Sequence, residues 1–255
     1  MIPIYLGYDT RERIAYHVLQ HSILEHASQP CAFTAIGNTV LPGSLWSRPK
    51  GKKDSTEFST ARFMVPALQN YRGWAIFMDC DMLCMGDIAN LWAQRDDQCA
   101  VMVVKHRHEP REQEKFLGAE QTQYGRKNWS SLMLINCAHP AAHELSPDYV
   151  NRADGLELHQ FAWAPDEAIG EIRGAWNVLS TPQGLQHPTS AHDTPHLLHY
   201  THGGAWHGVF TFGAGLWTGA LKRMLAEKNP RARAEAAQEP TKSTVTVTYD
   251  KTLRG

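Results

Sequence analysis

The chain has little that would tie it to a membrane or to a polyanion. No segment reaches the roughly 18 uninterrupted apolar residues of a membrane span. The opening MIPIYLGYDT lacks the basic stretch and long apolar run of a secretory signal and reads instead as a first strand. A cytoplasmic protein is the expectation. Charge is balanced: 25 Lys and Arg stand against 26 Asp and Glu, a formal net charge of -1, so composition supplies no global pull toward nucleic acid. Cysteine is sparse as well. Cys31, Cys80, Cys84, Cys99 and Cys137 are odd in number and lack C-x-x-C spacing, so neither a disulfide framework nor a cysteine zinc site is implied, and they read as compact packed residues. No internal repeat is present.

At 255 residues the chain can bury the core of one large α/β domain. IPIYLGYD reads as a strand, and Ile14, Val18, Leu19, Ile23 and Leu24 then recur at helical spacing. CAFTAIG reads as the next strand, which begins a β-α-β order and a parallel sheet. Residues 42–56 carry Gly, Pro, Ser and Lys and read as a mobile loop; FSTARFMVPAL reads as a short helix with Pro66 at its kink or end. WAIFM, CAVMVVKH, WSSLMLINC and HLLHY read as further strands, and APDEAIGEI as part of a helical stretch. The division expected is a domain over 1–218 and a charged helical and polar tail over 219–255. That tail carries enough Lys and Arg to touch an anionic membrane peripherally, but its glutamates dilute the signal and a solvated helix is the plainer reading.

The segment WAIFMDCDMLCMGDIANLW, residues 74–92, ends an apolar run with Asp79 and Asp81. Residues two apart on a strand point the same way, about 6.5–7 Å apart, so both carboxylates can face a site beyond the strand's C-terminal end. In an open α/β sheet ligands bind at that edge. Two hard oxygen ligands suit Mg²⁺ or Mn²⁺. The competing reading is a helix cap and a solvated Asp. His199 tips the balance, because it ends the run PHLLHY and an imidazole can join two carboxylates around Mn²⁺. Gly203 and Gly204 would let backbone N–H groups approach phosphate oxygens, and Trp206 could cover the apolar face of a sugar.

IYLGYDTRERIA, FSTARFMVPAL, AIFMDCDMLCMGDIANLW, NWSSLMLINC, APDEAIGEI, WNVL and HYTHGGAW follow one another along residues 1 to about 207. In that order they resemble the family 8 glycosyltransferases and related GT-A enzymes, the group that includes glycogenin and the bacterial lipopolysaccharide glycosyltransferases. The resemblance implies an α/β protein of the GT-A fold, with a Rossmann-like, mostly parallel central sheet flanked by helices. It implies a metal-dependent hexosyltransferase using a nucleotide-sugar donor, commonly a UDP-sugar, with retention of anomeric configuration. The acceptor, whether a glycan, a lipid-linked sugar or a small molecule, is left open. On the matching positions, Asp79, Asp81 and His199 would hold Mn²⁺ or Mg²⁺, Tyr8 and Asp9 would border the nucleoside, and Arg62 would reach the donor. Ser130 and Ser131 would lie near the donor sugar or acceptor, and Asp166 and Glu167 would line the reacting face.

The chain also departs from that pattern. Trp129, Ser130 and Ser131 stand where relatives carry Asn-Ser-Gly, and Asp166, Glu167 and Ala168 where they carry Asp-Gln-Asp. The Lys-Pro-Trp after the histidine turn is replaced by GGAW, which leaves Arg62, Lys105 and Arg126 as candidate cations for a diphosphate. Asp166 or Glu167 would serve as nucleophile or positioning group, or would simply cap a helix. Two other functions compete: a nucleotidyltransferase, disfavoured because GYDTRERIA has a single glycine, and a non-catalytic nucleotide-sugar-binding module.

Overall fold

The computed structural model describes residues 1–49, 51, 54–106, 126–188 and 194–226. Strand β1 (Ile2–Gly7) is an almost wholly buried apolar run, the signature of a strand covered on both faces. It pairs in parallel with β2 (Cys31–Ile36) on one side and β3 (Trp74–Met78) on the other. Helix α1 (Arg13–His26) makes the first crossover and buries Ala15, Val18, Leu19, Ser22 and Ile23, one stripe at helical spacing. Ile14 and Leu24 from the expected apolar set fall beside that stripe and are 37% and 55% exposed.

Beyond β3 the direction alternates. Strand β6 (Leu132–Asn136) runs antiparallel between β3 and β5 (Val101–Val103), and β7 (Ile169–Glu171) pairs in parallel with β5. The sheet order is β2-β1-β3-β6-β5-β7, mostly parallel as the sequence suggests. A second sheet has the order β4-β10-β8-β9, from β4 (Met82–Cys84), β8 (Val178–Thr181), β9 (Gly184–Gln186) and β10 (Leu197–His199). The chain leaves the first sheet at Met78 and enters the second at Met82. Asp79, Cys80 and Asp81 are that crossover.

Several local expectations change. A 3-10 turn (Ala61–Met64) leads into α2 (Val65–Leu68), so Pro66 lies at the start of a helix, where its missing N–H costs nothing, rather than at its end. Trp129–Ser131 is a 3-10 turn that follows Asn128 in a left-handed conformation, and the strand begins only at Leu132. Ile169–Glu171 is strand because it finds the edge of β5, a partner too distant in sequence for periodicity to reveal. The described part of the 42–56 loop is tied down: Asn151 accepts from Ser47 and Arg48 N–H, and Arg48 Nη1 donates to the Val150 carbonyl.

Helices α3 (Ile88–Trp92), α4 (Pro147–Arg152) and α5 (Gly155–His159) are capped by Asp87, Ser146 and Asp154 respectively. Helix α6 (Ala214–Ala226) buries Trp217 and Ala220 and pairs Arg223 with Glu25 of α1 at 2.7 Å. It spans the expected division at residue 218; the rest of that tail, 227–255, lies outside the described residues. Among the described residues no helix is long and apolar enough to cross a membrane.

Strand β6 is buried throughout and stands in the middle of the first sheet. Leu134→Ala is therefore expected to cost about 2–5 kcal/mol, from lost transfer free energy plus a cavity that the paired strands cannot close. Urea unfolding measures this, and a loss below about 1 kcal/mol would contradict the placement.

Candidate active site

The crossover is held from both sheets. Asp79 N–H donates to the Ser131 carbonyl at 2.9 Å, extending the β3–β6 ladder by one residue. Tyr200 N–H donates to the Asp81 carbonyl at 2.8 Å, and the β4–β10 register sets His199 opposite Met82. These pairings bring side chains far apart in sequence to one point. One potential ligand atom from each of Asp79, Asp81 and His199 lies within 4.8 Å of the others.

Asp79 Oδ1 forms an ion pair with Arg62 Nη1 at 2.7 Å, and Asp81 Oδ1 lies 3.3 Å from His199 Nε2. Both oxygens are buried, yet neither contact has the geometry of a hydrogen bond. Burial raises the Asp79 carboxyl above its ordinary range, and Asp81 beside it adds to the rise against the opposing pull of Arg62 and His199. His199 is desolvated, which disfavours its charged form, but the nearby carboxylates outweigh this and raise its pKa. Glu12, in the turn between β1 and α1, is pushed up to about 7 by burial and by the charge of Asp81. A partly buried cluster this rich in acids favours bound protons or a cation. Two hard oxygens and an imidazole nitrogen, with both oxygens lacking a hydrogen bond, fit a small divalent cation of the Mn²⁺ or Mg²⁺ type.

Arg62 is 5% exposed; its guanidinium also donates to the Ser59 and Ser130 carbonyls and lies over the rings of Phe58 and Phe77. Ser130 Oγ is 2.8 Å from His159 Nδ1, and the Ser131 hydroxyl donates to the Asn128 carbonyl. Asp9 is fully buried, with its carboxylate accepting from Arg11 and from Glu57 N–H, so it shapes the turn after β1. Burial opposes its ionisation, but these hydrogen bonds and Arg11 hold its pKa below the usual value. Tyr8, in the same turn, sets its ring edge-on to Tyr16.

Gly203 has φ +86°, and its N–H donates to the Tyr200 carbonyl. Gly204 lies under the indole of Trp206, where an added Cβ would come within 2.0 Å of the ring. Trp206 also abuts Trp217 and donates its N–H to Glu12 at 3.3 Å.

Other expected residues lie on the turn before β7 and around Trp129. Asp166 and Glu167 are exposed on a 3-10 turn before β7, and Asp166 pairs with Arg126 at 2.6 Å. Lys105 and Arg126 both lie over the ring of Trp129. Residue spacing and type assign no role to Glu12 or Asn177. Glu12 lies within IYLGYDTRERIA and Asn177 within WNVL, and neither segment singles them out. Asn177 is fully buried with φ +52°, and its Oδ1 lies 2.8 Å from His199 Nδ1.

No protein-family profile matches the sequence. The Arabidopsis thaliana protein named Protein CDI is 45% identical over 207 residues, which are 80% of this chain and 78% of that protein. Among solved structures, the galactosyltransferase LgtC in complex with donor and acceptor sugar analogs aligns with a TM-score of 0.60 and 14% identity, covering 86% of this chain and 95% of LgtC. The glycosyltransferase GlyE of Streptococcus pneumoniae aligns at 0.55 and 11% identity, covering 91% of this chain and 63% of its own. The WbbM bifunctional glycosyltransferase aligns at 0.54 and 14% identity; the match covers 91% of this chain and about half, 51%, of WbbM. The chain thus has the GT-A fold that its motif order implies.

Asp79 and His199 both have raised pKa values. In the metal-free protein they favour the folded state most at acid pH, and that contribution is lost as pH rises through their folded values. A cation competes with these protons, so the rise in melting temperature caused by Mn²⁺ is expected to grow from about pH 5 to about pH 8 and to vanish in Asp81→Asn. A shift independent of pH would contradict this. Gly204→Ala is expected to displace Trp206, seen as changed indole fluorescence and a lower melting temperature.

Proposed function

We propose that this chain, which belongs to the same family as Protein CDI of Arabidopsis thaliana, is a metal-dependent glycosyltransferase of the family 8 type. It transfers a hexose from a UDP-sugar to a hydroxyl acceptor with retention of configuration. The convergence of Asp79, Asp81 and His199 where β3 leaves the sheet carries the reading. In an α/β sheet that edge is where a nucleotide sits, and hard ligands there match a diphosphate's counter-ion.

A bound divalent ion would supply Lewis-acid neutralisation of the charge that grows on the departing diphosphate. The chain's own residues do the rest. Asp79, Asp81 and His199 would hold the ion, and Arg62 fixes Asp79 while anchoring the Ser130 carbonyl. Tyr8 and the turn that Asp9 braces would border the nucleoside. Ser130 would face the sugar side, and the Gly203–Trp206 turn would close over the diphosphate. The bond from anomeric carbon to diphosphate oxygen breaks, the bond to the acceptor oxygen forms, and the acceptor's proton passes to the departing diphosphate. Asp166 and Glu167 are exposed and Asp166 is engaged by Arg126, which favours attack by the acceptor on the leaving-group face over a carboxylate nucleophile.

The exposure of Asp166 and Glu167 also supports a second reading, a module that binds a nucleotide sugar without turning it over. Calorimetric titration of UDP with Mn²⁺, with EDTA and in Asp81→Ala tests the site. Binding that requires both metal and Asp81 is expected, and UDP binding that ignores both would sink the proposal. Release of UDP from a panel of UDP-hexoses then separates the readings, since the enzyme turns at least one over and the binding module none.

A further inference from the structure

The Asn128 backbone carbonyl can only accept hydrogen bonds. It receives the Ser131 hydroxyl at 2.6 Å and Asn177 Nδ2 at 3.2 Å. Ser131 Oγ has thereby committed its single proton, so it accepts from Asn177 Nδ2 at 3.0 Å. Both contacts require the NH₂ end of the Asn177 amide on that side. The amide orientation is therefore determined by its partners, and Oδ1 must face His199 Nδ1 at 2.8 Å. A carbonyl oxygen there needs a donor, so Nδ1 carries a hydrogen. In the neutral ring this leaves Nε2 bare, 3.3 Å from Asp81 Oδ1 and turned to the two carboxylates.

We infer that Asn177 is a positioning residue that selects the His199 tautomer, presenting the Nε2 lone pair to the cation site, with Asn128 and Ser131 as its anchor. The purpose of this relay rests on the metal-site reading above, but its geometry does not. The residue type is constrained at each point. The left-handed φ of +52° is one that Asn adopts more readily than most residues, and full burial leaves no water to replace either end of the amide. An aspartate would keep the acceptor toward His199 and lose the donors toward Ser131 and Asn128. A glycine would keep the backbone and lose both. Asn177 lies directly before β8, which runs parallel to β10 with Leu179 opposite His199, so the relay joins two neighbouring strands to the turn before β6. It also explains Ser131: its hydroxyl orients Asn177 instead of facing solvent.

The test combines two-bond ¹H–¹⁵N correlation spectra with Mn²⁺ titration on the full chain. The His199 signals are assigned by their loss in His199→Ala and recorded at a pH where the ring is neutral. Wild type is expected to carry the proton on Nδ1. In Asn177→Gly that preference is lost, and affinity for Mn²⁺ alone falls about 10–100-fold, the usual effect of removing a residue that orients a metal ligand. Asn177→Asp, which keeps the acceptor, retains the tautomer and stays closer to wild type than Asn177→Gly does. A wild-type ring protonated on Nε2 overturns the inference even if the glycine variant fails to fold. So does Asn177→Gly with the wild-type tautomer and affinity. Should wild type bind no Mn²⁺, the failure falls on the metal reading, and the tautomer pattern still decides the role of Asn177.

Discussion

Two carboxylates held side by side at the edge of a hydrophobic core repel each other and resist losing their water. This chain places Asp79 and Asp81 there, with Glu12 close by. Each unpaired charge in such surroundings costs several kcal/mol, so the arrangement persists only if positive charge is supplied. Arg62 supplies part of it to Asp79 through a buried ion pair, and His199 faces Asp81. Neither contact gives Asp79 Oδ1 or Asp81 Oδ1 a hydrogen bond. The remaining demand for a cation is the physical basis of the proposed activity.

The architecture serves that point. Asp79 is pinned by the first sheet through Ser131, and Asp81 by the second through Tyr200. The crossover between sheets therefore cannot swing without breaking a ladder on one side. His199 is set by the register of β10 against β4 and by Asn177 at the foot of β8. A site built from strand ends and a crossover is better defined than one carried on a loop, because each ligand inherits the rigidity of a paired backbone. The glycine turn after His199 adds a wall: Gly204 gives Trp206 room to lie against Trp217 while its N–H reaches Glu12.

Much of this was legible in the residues. The apolar run ending in Asp79 and Asp81, and the strand ending in His199, could be read because strand alternation and ligand chemistry leave a local signature. The order of segments was readable for the same reason. What stayed hidden depended on partners distant in the chain. Ile169–Glu171 becomes a strand only through β5, and Trp129–Ser131 forms a 3-10 turn because Asn128 reverses the backbone. Asn177 lay in WNVL with no local sign of its role, since a buried amide is recognised by what it bonds to. The same holds for Asp9, whose carboxylate is consumed by Arg11 and Glu57, and for Asp166, whose partner is Arg126.

The central claim is that the acid-rich crossover holds a divalent cation on a nucleotide diphosphate. Anomalous diffraction at the manganese edge, from crystals grown with Mn²⁺ and UDP, tests it most directly. The account predicts one strong peak within coordination distance of Asp79, Asp81 and His199 Nε2, with diphosphate oxygens completing the shell. A crystal with UDP bound and no manganese at those three side chains would contradict it.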